Sequence, residues 1–232
     1  FVGIINKTKS ICSGRKGAVL LQPIKDILRL LKKGAVYSET TSFIFTISPI
    51  IYLSSLIMGL LFIPFAGSKG LISFSGDFVL FAYIISLGKF FSIIASLDTG
   101  SSFEGMGASR EALFSLLAEP AFFILLGSLS LFTGHNSFYD IYSFIHNSPV
   151  SAYIIVIPGC FVLLIFAMIE NSRMPFDDPK THLELTMIHE VMILDNSGFD
   201  LGLIFYGSCL KFAIYGALIA NLFIIPENPM AI

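Results

Sequence analysis

The chain contains no tryptophan and only three cysteines, Cys12, Cys160 and Cys209. None of the three forms a C-x-x-C pair, and two fall inside apolar runs, so a zinc or iron–sulfur site held by this chain's cysteines alone is excluded. They read as small buried thiols. Charge is also scarce. Asp, Glu, Lys and Arg make up 13% of the sequence, against about 25% in a soluble domain. The formal net charge is -2, and no basic cluster is interleaved with aromatics, which argues against a nucleic-acid surface. No internal repeat, no low-complexity tract and no Ser/His/Asp or Cys/His nucleophile constellation is present, and a soluble second domain has no room. The first apolar stretch lies too far from the start to be a cleavable signal peptide. Because Phe1 opens the chain and an apolar run almost closes it, residues 1–232 read as one membrane domain internal to a longer subunit.

What the chain has is apolar mass. Hydrophobic residues make up 55%, 24 of them Phe, and the mean hydropathy is +0.83. A helix needs roughly 20 apolar residues to cross a bilayer core of about 30 Å. Five runs meet that length, at 42–66, 78–97, 112–133, 149–169 and 201–225. They do not alternate in polarity as barrel strands do. The expected fold is all-α: a polytopic transmembrane helix bundle. Segment 1–41 adds an amphipathic helix from Gln22 to Lys33, with Ile24, Ile27, Leu28 and Leu31 on one face and Lys25, Asp26, Arg29 and Lys32 on the other. Such a helix lies in the membrane interface, as an anchor or as a docking ledge for a soluble partner.

Basic residues assign an orientation. Lys7, Lys9, Arg15, Lys16, Lys25, Arg29, Lys32 and Lys33 precede the first span. With that side cytoplasmic, Arg110, Arg173 and Lys180 also fall inside, on stretches 98–111 and 171–200, and only Lys69 falls outside. Every loop then obeys the positive-inside rule.

Lys89, Glu119 and Lys211 lie within the apolar runs. A charge at mid-bilayer costs at least about 2.5–3.5 kcal/mol on insertion scales, so these groups face protein or water. Desolvation penalises the charged form, and a group so penalised is a candidate proton relay; the alternative is a static ion pair. Glu170 closes the fourth run at the boundary. Stretch 171–200 is the richest in ionisable groups, with Arg173, Asp177, Asp178, Lys180, His182, Glu184, His189, Glu190 and Asp195. Pro175 and Pro179 break any helix there, and an apolar pattern resumes at Leu183 as a short helix with its polar face against protein. No second His follows His189-Glu190 at zincin spacing, which argues against a metal site. Gly100 to Gly107 lacks a P-loop ending, and its glycines read as allowing close backbone packing at a helix entry. The sequon Asn6-Lys7-Thr8 lies on the expected cytoplasmic side.

The run Glu170-Asn171-Ser172-Arg173-Met174-Pro175-Phe176-Asp177 resembles the E-x-x-R-x-P-F-D signature of the H subunit of NADH–quinone oxidoreductase (complex I). Gly14-Arg15-Lys16-Gly17, Gln22-Pro23 and Asp26 resemble that family's G-R-x-G…Q-P…D segment, and Arg110 to Glu119 its R-x(8)-E stretch. The likeness runs through nearly the whole chain. After Pro-Phe-Asp, however, Lys180 and His182 stand where complex I subunits carry carboxylates, only Glu184 being kept, and Asp195-Asn196-Ser197-Gly198 replaces the E-Y-S-G element. The stretches 97–111 and 175–195 resemble the membrane subunits of energy-converting nickel–iron hydrogenases of the formate hydrogenlyase and hydrogenase-4 type.

That resemblance implies a non-catalytic membrane subunit, one that anchors a soluble redox arm and supplies part of a proton-translocation or coupling path. The implied proton path comprises Glu119, Glu170, Asp177 and Glu184, joined by Lys89, Lys211, Glu190 and Asp195. Redox-arm docking falls to Arg15, Arg110, Glu111, Arg173, Asp178 and His182. The implied partners are hydrogenase large and small subunits and antiporter-like membrane subunits, with the nickel–iron centre and iron–sulfur clusters on those partners and no cofactor on this chain alone. The implied location is a prokaryotic cytoplasmic (inner) membrane. The alternatives are a complex I protein bordering a quinone site and a purely structural anchor.

Overall fold

A computed structural model describes residues 2–65, 67–147, 153–177 and 187–223. The described elements are helical: α1 (Val2–Cys12), α2 (Gln22–Leu30), α3 (Phe43–Phe62), α4 (Asp77–Asp98), α5 (Ser102–Thr133), α6 (Phe138–Asn147), α7 (Tyr153–Glu170), a single 3₁₀ turn (Val191–Ile193) and α8 (Gly198–Phe223). Among the described residues the only β pairing is an isolated bridge between Phe65 and Ser68. The fold is an all-α polytopic membrane bundle.

Helices α3, α4, α5 and α8 are long and apolar enough to span a membrane, and Ile154–Glu170 of α7 forms a shorter apolar helix. Their ends follow local chemistry. Ser42 caps α3 by accepting from the Ile44 N–H, and its own N–H donates to Asp98 at the end of α4 at 2.7 Å, which ties the two helix ends together. α5 stops at Gly134, whose φ of 70° is the left-handed conformation that glycine adopts freely.

The spans pack in a ring: α4 lies against α3 and α5, α7 against α5 and α8, and α8 against α3. Contact between α3 and α4 is closest where Gly88 meets Ser55; a Cβ on Gly88 would lie 2.0 Å from the Ser55 hydroxyl. Small residues let helix backbones approach in this way. Aromatic side chains fill the ring's interior. Phe122 and Phe166 stack with centroids 4.6 Å apart, and Phe81 meets Phe138 edge to face at 5.4 Å. The outward faces are apolar as well, with Leu131, Ile154, Ile124 and Leu116 exposed. A chain that shows Leu and Ile outward and buries Lys and Glu has hydrocarbon around it.

Three elements differ from the sequence expectation. α5 begins at Ser102, ten residues before the expected span, because its first three turns carry Glu104, Ser109, Arg110 and Glu111 and escape a hydropathy criterion. α6 occupies what reads as an outer loop; its apolar residues Phe138, Ile141, Tyr142 and Ile145 recur at helical spacing and are all buried. α1 was not expected within segment 1–41. Of the short helix expected from Leu183, residues 183–186 lie outside the described residues; beyond them stands the turn Val191–Ile193, whose three side chains are buried.

Candidate functional site: a buried chain of alternating charges

Three helices, α4, α7 and α8, each place an ionisable residue in a buried apolar stripe. On α4 the buried positions run Phe78, Phe81, Ala82, Ile85, Gly88, Lys89. On α8 they run Ile204, Gly207, Lys211, Ile214, Tyr215, Leu218. On α7, Val156, Leu163 and Phe166 lead to Glu170. Helical periodicity therefore turns all three ionisable groups toward the ring's interior.

There they meet. One Glu170 carboxylate oxygen pairs with Lys89 Nζ, and the other lies 2.8 Å from Lys211 Nζ. Glu170 is 4% exposed and each lysine 6%. Lys89 also lies 3.8 Å from Glu111 Oε1 of α5. The result is a linear arrangement, Glu111–Lys89–Glu170–Lys211, alternating in sign and neutral overall. Neutrality is what makes it tolerable, because an unpaired charge in a low-dielectric interior costs several kcal/mol. It also means that moving one proton changes the net charge of a buried unit, and with it the field on every neighbour.

Glu119 stands apart. It lies eight residues beyond Glu111 on the same helix, roughly 12 Å along the axis. It is half-buried, with no salt bridge among the described residues. It shares a cavity of ≈ 20 Å³ with Lys89 and Glu170, walled by Phe81, Phe122 and Phe166. That volume holds about one water molecule, and its lining combines Lys89, Glu119 and Glu170 with aromatic rings.

The loop after α7 closes over this chain of charges. Asp177, 4% exposed, accepts from the backbone N–H of Ile188 and of His189, each at 3.2 Å. Arg110 donates to the Met187 carbonyl at 3.4 Å. Glu104, fully buried, accepts from the Asp195 N–H at 2.9 Å. Gly107 lets the loop approach, since a Cβ there would lie 2.9 Å from the Ile188 carbonyl oxygen. Burial, and after it the positive charge of Lys211, lowers the pKa of His189 to about 4. The imidazole is therefore neutral at physiological pH.

Of the residues singled out in the sequence, Lys89, Glu170 and Lys211 come together, and Glu119 shares the small cavity with Lys89 and Glu170. Asp177 and Arg110 hold the loop through backbone groups. Glu190 and Asp195 lie exposed on that loop, and Arg15 is exposed between α1 and α2. Glu111, grouped by sequence with the docking residues, is a member of the internal chain of charges, with its side chain 12% exposed. Arg173 packs its guanidinium 6.0 Å from the Phe212 ring centroid. Asp178, His182 and Glu184 lie outside the described residues. Sequence reasoning missed Glu104 and the internal role of Glu111. The signal was present: Glu104, Gly107, Glu111, Ser115 and Ala118 form one stripe, legible once α5 is started at Ser102.

The family sequence model described as NADH dehydrogenase matches residues 2–230. The chain belongs to the NADH dehydrogenase family. Within this family it is similar to hydrogenase-4 component C of Escherichia coli (strain K12), 28% identical over 97% of this chain and 70% of the relative. It is also similar to formate hydrogenlyase subunit 4 of the same organism, 26% identical over 96% of this chain and 71% of the relative. The H subunit of NADH-quinone oxidoreductase from Anaplasma marginale (strain St. Maries) is 26% identical over 88% of this chain and 61% of its own length. Among solved structures, a chain of the membrane-bound sulfane sulfur reductase, an archaeal respiratory membrane complex, shares the fold with a TM-score of 0.76 at 21% identity, over 96% of this chain and 72% of that one. The resemblance read from Glu170 to Asp177 and from the two hydrogenase-like stretches agrees with these relatives, and the chain is a multi-pass membrane subunit of an energy-converting complex.

Proposed function

We propose that this chain is the membrane subunit of a hydrogenase-type complex, anchoring a soluble redox arm and carrying protons, or the electrostatic signal that moves them, from that arm into the membrane. The observation that carries this reading is the buried chain Glu111–Lys89–Glu170–Lys211, with Glu119 lining the same small cavity as Lys89 and Glu170. A static anchor needs paired charges. It does not need a lone carboxylate lining a water-sized cavity with them.

In this reading the side bearing α2 and the loop 171–200 is cytoplasmic, and the membrane is a prokaryotic inner membrane. Hydrogenase large and small subunits dock on that side through Arg15, Asp178, His182 and the exposed Glu190 and Asp195, and they hold the nickel–iron and iron–sulfur centres. A charge change in the docked arm acts on Asp177, Glu184 and the loop, which rests on the chain of charges through His189. Reprotonation within the chain of charges then passes a proton to Glu119 and on toward antiporter-like subunits. The likeness to hydrogenase-4 component C and formate hydrogenlyase subunit 4 supports these assignments.

The test uses the assembled complex in inverted membrane vesicles. Glu119→Gln keeps the shape of the side chain and removes its proton, so proton uptake driven by hydrogen evolution is expected to vanish while the complex still assembles. Unchanged uptake would overturn the relay.

A second reading, a complex I protein bordering a quinone site, draws on an apolar cavity of ≈ 410 Å³ between α1, α2 and α8, lined by Ile24, Ile27, Leu28, Tyr206 and Cys209 among others. The volume falls within the range of small-molecule pockets. Inhibition of electron transfer by a quinone analogue, lost on filling this cavity with Leu28→Phe, would favour it over the hydrogenase reading.

A further inference from the structure

A third cavity opens on the seam between α7 and α8, with Tyr215 standing between it and the small cavity beside Glu170. It measures ≈ 180 Å³ and is lined by Leu164, Ala167, Met168, Gly216 and Ile219, with Asn171, Arg173 and Phe212 toward one end. A Cβ on Gly216 would meet nothing within 4 Å, so the seam is open there rather than closed by the neighbouring helix. From Leu164 to the helix end at Glu170 the apolar part runs roughly 10 Å along the axis, within the depth of one bilayer leaflet, which is about 15 Å of hydrocarbon.

The end of the seam is cationic. Arg173 lies three residues past the end of α7. Its guanidinium rests beside the Phe212 ring, and its Nε is buried with no hydrogen-bond partner. Among the described residues no carboxylate lies within ion-pair distance of it. The Asn171 side-chain amide is turned away, donating to the Ala167 carbonyl at 2.7 Å. A guanidinium with an unanswered Nε, set at one end of an apolar groove, matches a phosphate with a hydrocarbon tail.

We infer that the α7–α8 seam is a binding site for an anionic phospholipid, its phosphate held by Arg173 and one acyl chain lying between Leu164, Met168, Gly216 and Ile219. Charge complementarity commits the occupant: an apolar protein segment would fill the groove and leave Arg173 unanswered, and free phosphate would answer Arg173 and leave the groove empty. The inference uses neither the buried chain of charges nor the redox reading built on it.

The experiment reconstitutes the full complex into bilayers of phosphatidylglycerol or of phosphatidylcholine, each doped with a photoactivatable acyl-diazirine lipid of the same headgroup. Crosslinked peptides are then mapped by mass spectrometry. Several-fold stronger labelling of 164–168 and 216–219 by the phosphatidylglycerol probe is expected. Arg173→Gln should equalise the two probes, Arg173→Lys should retain part of the preference, and Gly216→Leu should remove labelling with Arg173 intact. Equal labelling by the two lipids in the unmodified complex would overturn the inference. So would a preference that survives Arg173→Gln, or the absence of label, which would mean that protein covers the seam. The comparison of lipids in the unmodified complex stands even if a variant fails to assemble.

Discussion

Two carboxylates sit buried at opposite ends of the bundle, and the structure treats them in opposite ways. Glu170, at the end of α7, is answered by cations, Lys89 and Lys211. Asp77, at the start of α4, is answered by neutral donors: the Ser137 hydroxyl at 2.8 Å and the Phe138 N–H at 2.9 Å. Asp77 is fully buried, and Phe138 is the first residue of α6, so a residue 61 positions away satisfies a helix-start donor. Nothing around Asp77 can take up a proton when it changes state. Around Glu170 the two partners are amines, which can exchange a proton with it. The difference separates a carboxylate that fastens two helices from one proposed to lie on a path.

Removing the charge at each end tests that separation. The largest effect is expected for Glu170→Ala, which leaves two buried lysines unanswered. Breaking a buried pair from one side costs about 3–5 kcal/mol, so thermal unfolding of the detergent-solubilised subunit should fall sharply or the complex should fail to assemble. Neutralising Glu111, Lys89, Glu170 and Lys211 together should recover most of that stability while proton uptake stays lost. Uptake that returned with stability would reduce the ionic end to the role of Asp77.

Next is pH. His189 lies on the loop that covers the ionic end, facing Lys211, Glu170, Lys89 and Arg173. Its pKa is lowered to about 4 from an ordinary 6.5, so below pH 6.5 the unfolded chain binds the proton more readily than the folded one. Stability is therefore expected to drop as pH falls from about 6.5 toward 4, by up to about 3 kcal/mol from this group. Unfolding curves across that range should lose this component in His189→Asn; an unchanged slope would detach the loop from the field of the chain of charges. The smallest effect is expected for Asp77→Ala, which removes a cap-like acceptor at a cost of about 1–2 kcal/mol. Faster amide exchange across Phe138–Asn147 with proton uptake intact is the expected outcome, and lost uptake would mean that the two ends are not different in kind.

The sequence exposed the ionic end better than the fastening end. Lys89, Lys211 and Glu170 stand out because an ionisable residue interrupting or closing an apolar run is conspicuous. Asp77 and Glu104 do not, because each opens a helix where acidic residues are ordinary. Glu111 was misplaced for a related reason: hydropathy marks where a helix enters oil, not where the helix begins. α6 was missed because Phe138 to Asn147 is too short and too polar to register as a span, although its helical spacing of apolar residues was present.

Composition and hydrophobic run length determined, without any coordinates, that this chain lives in a membrane as helices, and the Glu170–Asp177 signature placed it in its family. Both rest on local properties, the free energy of placing successive residues in hydrocarbon and the identity of neighbours along the chain. Which charge answers which was decided only by the tertiary structure. Lys89 and Glu170 are 81 residues apart, and their pairing depends on how far each helix is rotated about its own axis. That rotation is set by how the aromatic and small residues of five helices pack against one another.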